Sequence, residues 1–147
     1  MISLVQEARM ANRLRVAVLA LALVASAAAH ADETPEQRIA RRFPQPVKVG
    51  DLIGLPVYDD NQSTLGYVLE VVRTPAGKIQ LIVSYSPWFG WWGRPVAVPI
   101  EAVGIFGRQI ASLDMSRQEY AKAPTWSGGD ATPIAAGDTI QIGLTRH

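Results

Sequence analysis

The sequence contains no cysteine and two histidines, and its positive and negative charges nearly cancel. Without cysteine the chain can form no disulfide and has no thiol nucleophile. His30 lies in an N-terminal leader and His147 ends the sequence, so neither is placed to act as the base of a folded site. A net charge of +1 provides no broad positive field, and we expect no nucleic-acid partner.

The first part of the chain has the composition of an export signal. A basic segment precedes the apolar residues 16–29, and Ala29-His30-Ala31 fits the small-x-small cleavage rule. The apolar run of about 14 residues is shorter than the roughly 20 that a membrane-spanning helix needs. We therefore predict a signal peptide over residues 1–31, cleavage near Ala31, and a periplasmic or secreted protein.

Few residues beyond the leader offer catalytic chemistry. Tryptophans near a carboxylate pair, such as Glu70 with Glu101 or Asp114, would suit a glycosidase. Buried or capping carboxylates are commoner, and the adjacent Asp59 and Asp60 have the composition of a turn. We expect no enzyme, no cofactor, no metal and no small-molecule substrate.

Short stretches of β-favouring residues, separated by turn signals, predict a mainly β fold. In residues 65–73 both faces are apolar, so something should cover each side of that strand. Ser116 and Glu119 form a capping box for one short helix that stops before Pro124. The predicted strands are residues 51–58, 65–73, 78–85, 95–99, 103–106, 109–113 and 139–144.

Composition also predicts where the domain begins and ends. Residues 32–46 are polar and read as a flexible arm. Residues 47–126 contain most of the predicted strands and the helix. Residues 127–147 begin as a glycine-containing linker and end in an extra edge strand, which we expect to pair with the barrel edge.

Four segments follow one another along the chain: residues 52–59 (LIGLPVYD), 65–66 (LG), 96–102 (VAVPIEA) and 113–119 (LDMSRQE). Together and in this order they resemble the PRC-barrel domain family. That family includes the cytoplasmic tail of the photosynthetic reaction-centre H subunit and the C-terminal domain of ribosome-maturation factors. The resemblance implies a small β-barrel over about residues 47–126, with one short C-terminal helix, that docks to other macromolecules and has no family-wide catalytic residues.

The loop between the third and fourth predicted strands departs from the family pattern, because it holds three of the four tryptophans. Three interpretations stay open. The rings plug one end of the barrel, or they anchor a protein partner or a second copy, or they lie at a membrane surface or on an envelope glycan. The candidate binding residues are Trp88, Phe89, Trp91, Trp92 and Arg94.

The function expected from these features is an exported, non-catalytic adaptor that docks to an envelope protein or to itself. The alternative is peripheral membrane or cell-wall glycan association through the tryptophan-rich loop. Near-neutral charge makes the membrane reading the weaker one, because a membrane-surface module normally uses electrostatic attraction.

Cleavage after Ala31 would leave Asp32 as the first residue of the mature chain. We expect mass spectrometry of the protein from its native host to find a peptide that begins at Asp32. Recovery of a peptide that spans residues 29–34 from the mature protein would contradict the prediction.

Overall fold

Strands dominate the computed structural model, which describes residues 33–88 and 93–145. The predicted leader, residues 1–31, lies outside the described residues. The strands are β1 (Pro44–Lys48), β2 (Pro56–Tyr58), β3 (Thr64–Arg73), β4 (Ile79–Tyr85), β5 (Arg94–Pro99), β6 (Val103–Phe106), β7 (Gln109–Ser112), β8 (Thr132–Pro133) and β9 (Thr139–Leu144). The helices are α1 (Pro35–Arg41), α2 (Val49–Leu52) and α3 (Arg117–Lys122), with a 3-10 turn at Ile100–Ala102.

The described strands pair into one curved sheet in the order β1-β9-β6-β7-β2-β3-β4-β5, and β8 pairs with β3. Most pairs are antiparallel, whereas β2 with β7 and β6 with β9 are parallel. β3, β4 and β5 form an antiparallel meander. The mainly β fold predicted from the sequence is confirmed.

The concave face of this sheet encloses the core. Alternate residues of each strand point to the same face, and the inward-facing residues of the strands form one core cluster. Helix α3 contributes Tyr120, which is fully buried. The largest fully buried aliphatic residues in this cluster are Leu52, Leu65, Leu81, Ile110 and Ile142.

Strand β3 does not alternate regularly, because its pairing register shifts at two places. Opposite β2 the shift leaves Leu65 as an extra residue, and opposite β4 a second shift leaves Leu69 as an extra residue. Each bulge changes which of the following residues face the core. Leu65 and Val71 are therefore buried in the core, while Tyr67 and Leu69 between them lie on the outer face.

Residues 126–134, which we call the strap, are attached at both ends to the strands that they cross. At one end the Trp126 N–H donates to the carbonyl oxygen of Pro95 in β5, at 2.8 Å. At the other end the Ile134 N–H donates to the carbonyl oxygen of Val71 in β3, also at 2.8 Å. The segment expected to be a linker is therefore held against the sheet.

The strap accounts for burial on the outer face of β3 and β4. Val72 and Ile82 are buried but lie outside the main core cluster. Val72 pairs with Pro133 of β8, and Ile82 lies on the strand between the two strap attachments. The expectation that both faces of residues 65–73 need cover is thus met over the second half of β3.

The segment expected to be a flexible arm, residues 32–46, contains α1 and the start of β1. β1 pairs with β9, so β9 lies between β1 and β6 and not at the sheet edge. Arg42 holds this region: its Nη2 donates to both carboxylate oxygens of Asp114 at 2.8 Å. Composition does not reveal an ion pair between residues so far apart in sequence.

The predicted strand over residues 51–58 is shorter than expected. Val49–Leu52 form one helical turn, because Val49 and Leu52 both reach the core from positions three residues apart. Gly54, with φ of +80°, redirects the chain, and the strand begins at Pro56.

Both end strands of the pairing order carry prolines. Pro44 and Pro46 lie in β1, and Pro95 and Pro99 lie in β5. A proline nitrogen cannot donate, so within a ladder it faces away from the paired strand. These edges therefore present few N–H groups to another chain, which disfavours edge-to-edge association.

The predicted helix is confirmed, together with its cap. The Glu119 N–H donates to Ser116 Oγ at 3.3 Å, and the Ser116 N–H donates to the Glu119 carboxylate at 2.6 Å. The helix ends at Lys122, just before Ala123 and Pro124.

Two glycines allow the chain to pass close to Ser84 of β4. A Cβ on Gly66 of β3 would overlap the Ser84 carbonyl oxygen, and a Cβ on Gly93, which precedes β5, would overlap the Ser84 hydroxyl. Backbone occupies most of this space, so a larger residue can be accommodated only by shifting a strand.

Gly66→Ala should lower the free energy of unfolding by about 3 kcal/mol or more, because the added methyl group meets backbone. Gly137→Ala is the matched control, since a Cβ there meets nothing within 4 Å. The control should change stability by less than about 1 kcal/mol. Equal effects in urea denaturation would contradict the close-approach argument.

Candidate functional site

The tryptophan-rich loop connects β4 to β5. At the base of the loop, Tyr85 of β4 pairs with Arg94 of β5. Phe89, Trp91 and Trp92 lie outside the described residues. Trp88 and Arg94, the other two candidate binding residues, are described. Trp88 is exposed to solvent, whereas Arg94 is partly buried.

Trp88 is the most exposed large hydrophobic residue of the described chain, at 76% of its surface. Its backbone is nevertheless held in place. The Trp88 N–H donates to Ser86 Oγ at 3.2 Å, and the Ser86 hydroxyl donates to the Trp88 carbonyl at 3.1 Å. Ser86 itself is buried, so a side chain packed in the barrel holds the backbone of a residue whose ring is exposed.

Two exposed apolar residues of β3 lie on the outer face of the sheet. Tyr67 is 43% exposed, and Leu69, two residues further along the strand, is 49% exposed. Tyr67 lines a groove together with Pro87, which directly precedes Trp88 in the chain. We call the surface formed by Tyr67, Leu69, Pro87 and Trp88 the docking face. A cluster of exposed apolar residues marks an interaction site more often than isolated exposed residues do.

The groove beside the docking face has a volume of about 450 Å³. Ser63, Thr64 and Arg117 complete its lining, together with Tyr67 and Pro87. It is therefore a mixed surface, with hydroxyl groups and a guanidinium group next to an aromatic ring.

Arg117 is fixed by an ion pair under the turn that precedes β3. Its Nε donates to Asp59 Oδ2 at 2.9 Å, and its Nη2 donates to the Thr64 carbonyl at 3.1 Å. Asp59 Oδ1 also accepts from the N–H groups of Asn61 and Ser63, which confirms the predicted turn. Burial alone would raise the pKa of Asp59, but the donors from Ser63, Arg117 and Asn61 lower it.

Arg94, named as a candidate binding residue from the sequence, directs its side chain to the end of α3. Its Nη1 donates to the Ala123 carbonyl at 2.7 Å, and its Nη2 donates to the carbonyls of Tyr120 and Ala121 at 2.8 Å. The guanidinium carbon lies 5.6 Å from the centre of the Tyr85 ring. Arg94 therefore caps the C-terminal end of α3, where unpaired carbonyls carry partial negative charge.

Tyr120 closes the core beneath this cap. Its ring centre lies 5.9 Å from that of Tyr85, and its hydroxyl makes no hydrogen bond of standard geometry within the described residues. Burial raises the pKa of Tyr120 to about 12, and a weaker interaction with the Ser112 hydroxyl acts in the opposite direction. A phenol with this pKa stays neutral near pH 7 and is poorly suited to proton transfer there.

Three further observations concern metal binding, membrane crossing and the carboxylates considered for catalysis. Among residues 33–88 and 93–145, no three histidine, cysteine, aspartate or glutamate side chains group as metal ligands. No helix in the described part of the chain has the length and hydropathy to cross a bilayer. Asp114, one of the carboxylates considered for catalysis, is engaged by Arg42.

Comparison with protein families settles the class of the fold. Residues 47–111 match the PRC-barrel domain. The chain carries a PRC-barrel domain. No curated protein matches the chain in a sequence search.

The PRC-barrel match extends from the end of β1 to β7, so it contains the whole docking face. Helix α3, the strap and β9 lie beyond the matched residues, although all of them pack on the barrel. The capping contacts of Arg94 therefore join the PRC-barrel match to residues C-terminal to it.

Sequence reasoning identified Trp88 but missed Tyr67, Leu69, Ser86 and Arg117. The register shift at Leu65 places Tyr67 and Leu69 on the outer face, and no residue type in that strand indicates the shift. Ser86 offered one usable signal for the loop conformation, because a serine in a turn typically accepts a hydrogen bond from the backbone two residues later.

Arg94→Ala should lower the free energy of unfolding by about 2 kcal/mol, because three carbonyls at the end of α3 lose a charged donor. Arg94→Lys should recover little of this, since one ammonium group cannot reproduce the planar donor set. Urea denaturation followed by circular dichroism measures both changes. Arg108→Ala, on the exposed turn between β6 and β7, is the control and should have little effect.

Proposed function

We propose that this protein is a non-catalytic PRC-barrel adaptor that is exported to the cell envelope and binds a protein partner through the docking face. The observation that supports this most directly is Trp88, whose ring is exposed while its backbone is held by Ser86. Leaving such a ring in water forgoes roughly 2 kcal/mol of burial free energy. An anchor residue at an interface regains that energy on binding.

Pre-organisation favours binding over a purely structural role for Trp88. Holding the backbone in the unbound protein reduces the conformational entropy that is lost when a partner binds. Tyr67 and Leu69 extend the contact area beside the ring. Phe89, Trp91 and Trp92 follow directly in the sequence, and we propose that they add to the same surface.

The choice of a protein partner is supported by charge as well as by residue type. Removal of residues 1–31 subtracts three arginines and one glutamate, leaving 11 basic and 12 acidic residues from the 14 and 13 of the whole sequence. A nearly neutral protein gains little electrostatic attraction to anionic lipid. Tryptophan and tyrosine dominate the energetics of protein interfaces.

Envelope glycan is the second candidate ligand, and one observation favours it. The groove that Pro87 and Arg117 line also contains the hydroxyl-bearing residues Ser63, Thr64 and Tyr67. Hydroxyl groups next to an aromatic face suit a sugar, whose C–H groups can stack on the ring. Co-sedimentation with purified peptidoglycan and with liposomes tests this candidate and the membrane reading.

Trp88→Ser should reduce recovery of the crosslinked partner from native envelopes at least about tenfold, because the exposed anchor is lost. Its melting temperature should change by less than about 3 °C, since the ring contributes little to the core. Phe106→Ser is the control: Phe106 is also an exposed aromatic residue, but it lies on β6.

Crosslinking followed by mass spectrometry measures partner recovery, and differential scanning fluorimetry measures stability. Unchanged recovery for Trp88→Ser would argue against the docking face. A large fall in melting temperature would instead indicate that Trp88 packs on the barrel. The double variant Trp91→Ser and Trp92→Ser should likewise lose the partner without losing stability.

A further inference from the structure

The docking face continues the part of the outer face that the strap covers. Tyr67 pairs with Ser84, and Ser84 pairs with Pro95. The Pro95 carbonyl accepts the first hydrogen bond of the strap, from Trp126. The exposed row therefore begins where the extended strap is attached. The strap, which contains no helix, covers one half of this outer face, and the other half is exposed to solvent.

The described part of the docking face is large enough for a short segment. From the exposed fractions of Tyr67, Leu69 and Trp88, with Pro87, its apolar area is roughly 300 to 400 Å². A stable interface between two folded proteins buries about 800 Å² on each partner. A short peptide segment needs no more area than these four residues provide, so it can bind them without that larger interface.

The groove next to the face supplies a polar contact of the kind that an extended peptide requires. Arg117 uses Nε and Nη2 for Asp59 and Thr64, while its Nη1 makes no hydrogen bond within residues 33–88 and 93–145. A volume of about 450 Å³ is large enough for a side chain or two. Backbone carbonyls and carboxylates are the acceptors that a guanidinium group pairs with.

We infer that the occupant of the docking face is a short extended segment of the partner protein, lying across β3 and β4 next to the strap. The segment places an apolar side chain over Tyr67 and Leu69, against Trp88, and directs a carbonyl or carboxylate oxygen to Arg117. This inference rests on the proposed docking function and specifies the form of the partner.

The test uses the purified protein and a phage-displayed library of short random linear peptides. Peptides that bind should be rich in apolar residues, and synthetic copies should bind Leu69→Lys at least about tenfold more weakly than the unaltered protein. Leu113→Lys is the matched control, because Leu113 is also exposed, at 41%, but lies after β7. The control should bind with unchanged affinity.

Three outcomes would overturn the inference. If no selected peptide depends on Leu69 while the Trp88-dependent crosslink persists in envelopes, the partner docks as a folded surface and only the extended form is wrong. A dimer in analytical ultracentrifugation that Leu69→Lys dissociates would assign the face to a second copy. Absence of both the peptides and the crosslink would remove the docking function together with the inference.

Discussion

The approach of Gly66 and Gly93 to Ser84 is the constraint on which this end of the barrel depends. Because neither residue has a Cβ, β3 and the start of β5 can both lie against the middle strand without a gap. That arrangement sets the cross-strand row that contains Tyr67, and it brings the two ends of the tryptophan-rich loop together at Tyr85 and Arg94. The exposed surface and the buried cap are therefore consequences of one close backbone contact.

Trp88 and Arg94 show how one loop can serve two purposes. Trp88 has its backbone fixed by Ser86 and its ring in solvent, whereas Arg94 binds three carbonyls at the end of α3. Both residue types are typical of interfaces, so residue type alone does not separate the two roles. Position does: Arg94 is the first residue of β5, opposite Tyr85, and its side chain reaches the helix that closes the core.

Local patterns predicted the parts of this fold that local interactions determine. The strands from β3 to β7 and the capping box at Ser116 follow from alternation and from a four-residue motif. What the sequence did not reveal depends on distant partners: the pairing of β1 with β9, the attachment of the strap, and the ion pair between Arg42 and Asp114. For the candidate site, the sequence identified the exposed tryptophan but not the outward orientation of Tyr67 and Leu69, which depends on a register shift at Leu65.

The pairing of β1 with β9 has a consequence for the order of events as the chain folds. Pro44 lies opposite Gly143, so a strand near the start of the described chain has its partner close to the end of it. A contact between residues so distant in sequence forms late, because the loop that it closes loses the most entropy. As the chain emerges from a ribosome, β3, β4 and β5 can pair first. β1 can pair only after almost the whole chain has been synthesised, so a prematurely terminated chain leaves β1 without its partner strand.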